Sequence, residues 1–402
     1  MSFNPIRYFA LTLGFFWMPL SETLGGQPSS TWLPVPTYVS EDGEVVVKLR
    51  ARAHWDVGWL KSDFGDVDLR GSEIRTARIG YDIDFGDKIS TRGELAFSGK
   101  TLNINEVKAI FKGPIDFIVG QQKIGPSISE VSSGNNEPFM ERGHFTDAFF
   151  IDRGLGLAFF TGGDRWSFTG GVQKGSLQNG IKNQYLTLTT RATFSPDLEN
   201  GSLHFGGSLR YREKTSLGDN FVYRQRPHLH FIKTRFVDTG KVAKSDLMMG
   251  IEASYQFNSL TIQGEYAQLK AKLESPTIGF DDPTFKGGYI GFDYYLTGET
   301  RPYNAKGGNY GGIIPKASVI QGGIGAWQIA ARVDYIDLSD KAIFGGHQTS
   351  YLLALNWHLN RWFRVVLNYT HSKVKEGQFV NHNGPEGQNK INGFGMRFQF
   401  NY

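Results

Sequence analysis

The chain contains no cysteine among its 402 residues. This absence excludes disulfide bonds, catalytic thiols and cysteine-ligated metal sites, and it suits a chain that crosses an oxidising periplasm. Beyond the N-terminal segment there is also no apolar run of roughly 18 residues, so no helical membrane span is expected. Lys and Arg exceed Asp and Glu by only four charges, far below the excess typical of nucleic-acid-binding proteins. Any preference for anions must come from where the cations are placed.

Sequence patterns of enzymes are missing as well. The nine histidines show no metal-binding spacing apart from the pair His228 and His230, and no serine lies in a G-x-S-x-G elbow. The glycine-rich run at 307–312 lacks the Lys-Ser or Lys-Thr that completes a phosphate-binding loop. We therefore expect no catalytic residues, no cofactor and no bound metal.

The stretch at residues 45–59, VVVKLRARAHWDVGW, is the most informative in the chain. Alternate side chains of a strand point to opposite faces, so Leu49, Trp55 and Trp59 share one apolar face. A membrane-spanning barrel strand needs roughly 9 to 11 tilted residues, apolar toward lipid and polar toward a lumen. The stretch therefore predicts a transmembrane strand whose lumen face carries a row of cations, namely Lys48, Arg50, Arg52 and His54.

The same alternation, bounded by Gly, Pro, Asn or Asp, occurs sixteen times after residue 44. The segments lie near 45–59, 72–85, 89–98, 102–112, 115–122, 153–161, 165–174, 184–194, 202–213, 246–257, 260–270, 286–296, 325–337, 348–358, 361–372 and 390–402. Single-chain bacterial barrels have an even number of strands, joined alternately by short periplasmic turns and long outer loops. The long connections here are 123–152, 214–245, 271–285 and 373–389. The pattern predicts an all-β fold, a sixteen-stranded antiparallel up-and-down transmembrane β-barrel.

The two ends of the chain fit this architecture. Residues 1–26 have a positive start and an apolar core and resemble a signal peptide, with a short buried helix as the alternative. We expect residues 27–44 to form an extended periplasmic lead-in and residues 45–402 to form the barrel. The last segment alternates aromatic and polar residues up to Tyr402, as a closing barrel strand does, although an edge strand of a β-sandwich has the same pattern.

The C-terminal half contains four distinctive segments, Gly287–Ile290, Leu296–Tyr303, Gly325–Leu338 and Leu355–Tyr369. Together with residues 139–142 (FMER), they resemble the phosphate-selective porins of the O and P type. In that family a motif similar to FMER lies in the third outer loop, which folds into the pore. The resemblance implies a sixteen-stranded outer-membrane barrel, a homotrimer, and a pore lined by arginines and lysines that passes phosphate-type anions.

Extending the alternation to every strand gives the other lumen-facing charges. The cations are Arg78, Arg92, Arg191, Arg210, Arg212, Arg332, Arg364 and Arg397, and the acids are Asp56, Asp82, Asp84, Glu94, Glu252, Glu265 and Asp334. Arginine suits phosphate because its planar fork binds two oxygens and keeps its charge. A ladder of moderate sites favours conduction, since one deep site would trap the ion. The alternative is that the arginines brace the wall by pairing with acids, as we expect for Arg78 beside Asp82.

Two outer loops differ in charge. Loop 214–245 has seven Lys or Arg against two Asp, and we expect it to form a funnel that concentrates anions, with binding of lipopolysaccharide as the alternative. Its funnel residues are Arg224, Arg226, Lys233 and Arg235. Loop 123–152 is mostly acidic. We expect Glu141 and Arg142 to form a local pair that holds this loop inside the pore as a constriction.

The connection at 297–324 breaks the rule of alternating lengths. Strand counting places it on the periplasmic side, where connections are short, yet it has 28 residues. Its prolines and glycines disfavour hidden strands. With Arg301, Lys306 and Lys316 against Glu299, its net charge is plus two. We expect it to fold into the periplasmic mouth and narrow the pore with cations, a disordered flap being the alternative.

These features favour an anion-selective outer-membrane porin for phosphate or polyphosphate-type anions. Expected partners are small anions, outer-membrane lipid and lipopolysaccharide, further copies of the chain in a homotrimer, and the barrel-assembly machinery, but no nucleic acid. Two other functions stay open. A general porin for small uncharged solutes would conduct without anion preference, and a closed structural protein would not conduct.

Overall fold

The computed structural model describes residues 36–63, 67–98, 101–149, 153–177, 185–275, 281–376 and 388–402. The predicted signal peptide at 1–26 lies outside these ranges. Within them, no helix has both the length and the apolar character needed to cross a bilayer. The described chain is dominated by long strands.

Sixteen of these strands form one closed sheet. They are β1 (Val45–Ser62), β2 (Asp68–Phe85), β3 (Ile89–Ser98), β4 (Thr101–Phe111), β5 (Asp116–Gln122), β6 (Gly154–Gly162), β7 (Trp166–Lys174), β8 (Tyr185–Phe194), β9 (Gly201–Lys214), β10 (Asp238–Phe257), β11 (Leu260–Leu273), β12 (Thr284–Tyr295), β13 (Ala326–Asp340), β14 (Ile343–His358), β15 (Phe363–Lys375) and β16 (Gln388–Asn401). Each strand pairs antiparallel with its neighbour in sequence, and β1 pairs with β16. The predicted sixteen-stranded barrel is confirmed.

The two faces of the wall follow the predicted alternation. On β1, the Leu49 side chain is 53% exposed on the outer surface, whereas His54 and Asp56 are buried inside. Trp55 of β1 lies opposite Phe398 of β16, and their rings stack with centroids 5.4 Å apart on the outer face. Closure between the first and last strands removes the free edges that an open sheet would expose.

Several strands are longer than the apolar alternation predicts. β2 begins at Asp68, β10 at Asp238 and β14 at Ile343, each four to eight residues before the predicted start. Outside the apolar belt both faces of a strand are polar, so hydrophobic alternation ends while the backbone ladder continues. The predicted loop 214–245 is therefore wrong at its C-terminal end, because the connection between β9 and β10 covers only 215–237.

Short elements occupy the connections and the N-terminal lead-in. The short strands are Thr37–Val39, Asp197–Leu198, Phe221–Arg224, Tyr303–Asn304 and Asn309–Tyr310, and the helices are α1 (Ile128–Val131), α2 (His144–Phe149) and the 3-10 turns Gly134–Asn136 and Val319–Gln321. Thr37–Val39 pairs with β1 at Val46–Lys48, whereas β16 pairs with β1 only from Arg52 onward. The described end of the lead-in thus extends the barrel wall beside β1.

Three connections fold into the lumen. We call them the constriction loop (residues 123–153), the inward loop (215–237) and the connector (296–325). The buried apolar side chains of the constriction loop and the inward loop pack with inward-facing wall residues in one cluster, which includes Phe145 and Phe149 of the former and Leu229, Ile232 and Phe236 of the latter. The connector enters from the turn end, where the Tyr310 hydroxyl hydrogen-bonds Ser254 of β10 at 3.0 Å. The lumen is therefore a restricted channel.

Candidate functional site

A polar channel lies between the β1–β4 wall and the constriction loop. The cavity there has a volume of about 780 Å³. Its lining includes ten cationic and six acidic side chains, so the lining carries a formal charge of plus four. Because the two signs are unevenly spread, the pairing of each cation decides which charges remain available to an ion.

The β1–β4 wall supplies four of the predicted arginines to this cavity, namely Arg50, Arg52, Arg78 and Arg92. Arg92 binds Asp82 through both nitrogens of its fork, at 2.5 and 3.2 Å, and Arg50 lies 3.8 Å from the same carboxylate. Arg78 is 3.0 Å from Glu94, so the expected pair of Arg78 with Asp82 is wrong. Glu94 lies on β3, which pairs with β2. The register between the two strands cannot be predicted from the sequence of β2 alone.

Arg52 differs from its neighbours because it has no carboxylate within ion-pair distance among the described residues. It lies directly opposite Arg78 in the register of β1 and β2, and two residues from Arg50 on the same face. Like charges placed across a ladder repel each other. These three arginines therefore create a positive electrostatic potential that the nearby acids do not fully cancel, and all three line the cavity.

Arg75 also lines the cavity, although strict alternation from Arg78 assigns it to the outer face. Successive residues His54 and Trp55 of β1 pair with Thr76 and Ile74, which leaves Arg75 without a partner in the ladder. This β-bulge turns Arg75 inward. A similar irregularity in β4 accompanies Glu106, another lining residue. Hydrophobic alternation carries no signal for a bulge, so neither residue could be predicted from the sequence pattern.

Glu141 of the constriction loop connects the loop to the wall. Its carboxylate accepts hydrogen bonds of 2.9 and 3.2 Å from Arg75 and one of 3.1 Å from Arg397. Burial alone would raise the pKa of Glu141, but these two guanidinium groups hold it well below its ordinary value. Arg142 instead lies 3.6 Å from Glu130 and donates to backbone carbonyls of its own loop. The predicted pair of Glu141 with Arg142 is wrong, because these adjacent side chains point to different partners.

Arginines from the barrel wall hold the FMER motif in place. Arg397 donates to the carbonyl of Met140 at 2.6 Å and binds Asp56 through two bonds of 2.7 Å. Arg332 donates to the carbonyls of Glu141 and Arg142, both at 3.2 Å. A guanidinium group can bind a carbonyl and a carboxylate together because its five N–H donors point in fixed directions. These contacts fix the depth of the constriction loop in the lumen.

The same contact recurs around the lumen. The further pairs of arginine donor and carbonyl acceptor are Arg364 with Asn135 (2.8 Å) and with Glu137, Arg191 with Gly308 (2.7 Å), and Arg210 with Phe149. Acids complete the sites, since Arg191 pairs with Glu252 and both Arg210 and Arg212 pair with Asp246. None of Arg191, Arg210, Arg212, Arg332 and Arg364 lines the main cavity. Their predicted place in the main cavity is wrong, because they are buried against the inward segments and brace them. Arg364 lines a smaller polar cavity of about 100 Å³ that shares Asn135, Asn136 and Gly311 with the main one.

Of the two remaining predicted residues of β1, His54 and Lys48, only His54 reaches the cavity. His54 lines the cavity and lies 3.3 Å from the side-chain oxygen of Asn401. Lys48 is not among the lining residues. It lies near the turn end of the strand, 3.4 Å from Asp84. Six of the twelve predicted pore residues therefore reach the cavity, namely Arg50, Arg52, His54, Arg78, Arg92 and Arg397.

The predicted funnel is largely neutralised. Arg226 and Arg235 both pair with Asp147 of the constriction loop, at 2.8 and 3.4 Å. Arg224 lies 3.8 Å from the carboxylate that begins β10. Lys233 is exposed and has no ion pair in the described part of the chain. Of these four residues only Arg226 lines the cavity, because the loop folds inward and pairs with its neighbour.

The connector enters the channel with residues 309–311, which line the cavity. Its cations point elsewhere. Arg301 is buried 3.3 Å from Asp293, and Lys316 donates to a carbonyl of the connector at 2.5 Å. Arg301, Lys306 and Lys316 are all absent from the lining. The predicted narrowing by these cations is wrong, because backbone and Tyr310 occupy the space instead.

One cluster of the described residues has the composition of a metal site. The ligand atoms of His144, His228 and Asp334 lie within 4.8 Å of one another. However, Arg332 Nη2 lies 3.4 Å from His228 Nδ1, and arginine only donates. His228 Nδ1 must therefore accept, and the proton of the neutral ring is on Nε2, the atom that would face a metal. The nearby guanidinium charge also opposes a second cation, so the geometry does not support a metal centre.

The chain is similar to known proteins in sequence. The family described as phosphate-selective porin O and P matches residues 47–402. An uncharacterized protein of Caulobacter vibrioides is 31% identical over 355 residues, which is 84% of this chain and 70% of the relative. Porin O of Pseudomonas aeruginosa is 27% identical over 237 residues, which is 52% of each chain.

Solved structures are similar in fold at low sequence identity. The trimer form of OmpT of Vibrio cholerae has a TM-score of 0.54 and 12% identity, covering 89% of this chain and 99% of its own. An anion-selective porin from Comamonas acidovorans has a TM-score of 0.54 and 13% identity, covering 89% of this chain and 100% of its own. Both likenesses concern the barrel architecture.

Proposed function

The chain belongs to the family of phosphate-selective porins O and P and is an outer-membrane channel rather than an enzyme, and we propose that it passes phosphate-type anions along the β1–β4 wall. The observation that carries this proposal is the charge of Arg52, which has no ion-pair partner among the described residues and lies beside Arg50 and Arg78. The excess of cations in the cavity lining supports it. Porin O of Pseudomonas aeruginosa, a relative, belongs to the same class of channel.

The spacing of the wall cations suits transfer of an ion from site to site. Residues two apart on a strand are roughly 6 to 7 Å apart along its axis, so an anion can contact Arg50 and Arg52 in succession. An ion about 4 Å from one cation gains about 1 kcal/mol in water and about 4 kcal/mol at an effective dielectric constant of 20. Sites of this strength hold an anion briefly and release it, which conduction requires.

Selectivity measurements in planar bilayers test the proposal. Each Arg-to-Glu change alters the charge by minus two, so R50E with R52E brings the formal charge of the lining from plus four to zero. We expect anion preference, measured as the reversal potential in a salt gradient, to be erased. The matched control is K270E with K272E, which makes the same charge change on the exposed face of β11 and should leave the reversal potential unchanged. Equal effects of the two double variants would contradict the proposal.

Preference for phosphate over chloride requires a second measurement. Two N–H donors of a guanidinium can bind two oxygens of a phosphate, whereas chloride takes no such paired contact. We expect phosphate to block chloride current in the wild-type channel with saturation, and R52K to weaken the block more than it lowers anion preference. A channel that conducts chloride but is not blocked by phosphate would be a general anion porin. One without anion preference would match the alternative of a porin for uncharged solutes.

We also propose that the porin is a homotrimer in the outer membrane. A trimer form exists for the similar barrel of OmpT from Vibrio cholerae, and the outer face of β1 and β2 offers large exposed apolar side chains, among them Trp55, Ile74 and Ile79. The remaining surface would contact lipid and lipopolysaccharide, with insertion by the barrel-assembly machinery. Crosslinking of the detergent-extracted protein tests the number of subunits.

A further inference from the structure

Two histidines join the constriction loop to the inward loop inside the barrel. His144 begins α2 and His228 belongs to the inward loop. Their rings stack with centroids 4.0 Å apart, and their Nε2 atoms are 3.1 Å apart. Both side chains are almost completely buried. This contact is independent of the anion path described above.

The hydrogen bonds define the protonation of the pair. Because Arg332 donates to His228 Nδ1, the proton of His228 is on Nε2 and can be donated to His144 Nε2. His144 then carries its own proton on Nδ1, which is buried without a partner. In this state both rings are neutral.

A further proton has no free acceptor atom in this arrangement. At His228 Nδ1 it would face the Arg332 donor, and at His144 Nε2 it would face the N–H of His228. One carboxylate, Asp334, lies 3.4 Å from His228 Nε2, the atom that already carries the proton of the neutral ring, and it is paired with Arg332 at 3.3 Å. Burial, reinforced by the charge of Arg332, holds the pKa of both histidines well below its ordinary value. His228 also has a φ of 58°, in the left-handed region that costs a non-glycine residue energy. The contact is therefore maintained by the packed, neutral state.

We propose that the stacked pair of His144 and His228 is a proton-sensitive latch, which holds the inward loop in the lumen when both rings are neutral and releases it when they are protonated. The released histidines take up protons with an ordinary pKa of about 6.5. Each pH unit below that value therefore favours the released state by about tenfold for each histidine, and by about a hundredfold for two.

Other charged groups face this pair, and the test must separate their response to pH from that of the histidines. Asp334 accepts the backbone N–H of His144 at 3.1 Å and, with Arg332, faces both rings. Asp147 pairs with Arg226 and Arg235 across the same two loops. Both carboxylates remain in the double variant H144N with H228N. The difference in slope between that variant and the background protein from pH 5 to 7.5 therefore reports on the two histidines.

His230 of the inward loop opposes the latch. It lies 2.7 Å from Glu73 of β2, so its protonation strengthens an ion pair that holds the loop in place. The test is therefore made in a H230Q background, where this contribution is absent. The other polar groups that touch the pair, Gln348 and Ser350, do not titrate in this range.

Thiol labelling measures the release directly, because the chain has no cysteine of its own. In the full-length folded barrel, I232C places one thiol at a buried position of the inward loop, and L217C places one at an exposed position of the same loop. The ratio of their labelling rates with a neutral thiol reagent cancels the pH dependence of thiol chemistry. It reports the population in which the loop is released, even when that population is small.

We expect this ratio to rise more steeply between pH 6 and pH 5 than in the double variant H144N with H228N, by a factor that approaches a hundredfold per unit. In H228N, whose asparagine tolerates a positive φ, the excess over the double variant should be at most tenfold. Equal slopes in the background protein and in the double variant would overturn the latch. So would binding of one zinc ion by the cysteine-free wild-type chain in equilibrium dialysis at neutral pH, if H144N abolished it.

Discussion

Replacing Glu141 with Gln removes the carboxylate that lies between Arg75 and Arg397 in the channel. The side chain keeps its size and one acceptor, so the constriction loop can remain in contact with the wall. The lining then gains one positive charge, from plus four to plus five, and Arg75 loses its ion-pair partner. We expect phosphate to bind more tightly in the channel.

The magnitude follows from the removed repulsion. A carboxylate about 4 Å from an anion costs about 1 kcal/mol in water and about 4 kcal/mol at an effective dielectric constant of 20. These energies correspond to a change in affinity from about fivefold to several hundredfold. The channel is polar and open, so we expect the lower part of this range. Tighter binding should also lower the maximal phosphate current, since release becomes slower.

The assay is the phosphate concentration that halves chloride current in a planar bilayer. E213Q is the control, because Glu213 is exposed on β9 and, among the described residues, its carboxylate has no ion pair and accepts a hydrogen bond from Tyr211. Because the pKa of Glu141 is lowered, its carboxylate stays ionised throughout the range from pH 5 to 8. The difference in half-block concentration between E141Q and wild type should therefore persist over this range. It would be lost only as the pH fell through the depressed pKa. An unchanged half-block concentration, or a difference that disappears at pH 5, would refute the reasoning.

Two further predictions concern the braces of the channel. Replacing residues 304–318 with a short Gly-Ser turn removes Tyr310 and the carbonyl that binds Arg191. Single-channel conductance should then rise, and anion selectivity should fall because the wall cations would act across a wider channel. Wild-type values would mean that the connector does not limit the pore. R364A removes contacts to two carbonyls of the constriction loop, each worth about 1.5–3 kcal/mol for a charged donor. The barrel should therefore unfold at lower temperature in a heat-modifiability gel and conduct with greater noise. The R361A control, at the neighbouring turn, should behave as wild type.

The sequence was sufficient for the barrel because alternation reports directly on the two environments of a strand. Leu49 and Trp55 face outward and Arg50 and Arg52 face inward, as the pattern of β1 indicates. The length anomaly of the connector was also informative, since a long segment at the turn end has few places to go except the lumen. Arg75 escaped because a bulge shifts the alternation by one residue without changing composition.

The division of the arginines into two groups could not be predicted from the sequence. Arg52 and Arg364 occupy equivalent lumen-facing positions in the alternation, yet one faces an open cavity and the other is covered by the backbone of the constriction loop. The difference depends on where a loop distant in sequence passes, and strand periodicity contains no information about that path. A carbonyl within reach converts an arginine from a site for ions into a brace.

This division couples selectivity to loop placement. The cavity-lining cations of β1 and β2 hold a fixed position relative to the constriction loop only because Arg332, Arg364 and Arg397 bind the loop's carbonyls. Loss of a brace would therefore also change selectivity, even at Arg332 or Arg364, which do not line the main cavity. The two causes are distinguishable, because loss of a lining cation such as Arg52 lowers anion preference at constant conductance noise, whereas loss of a brace alters both. Combining R52Q with R364A would separate them, since independent effects add and a shared loop displacement does not.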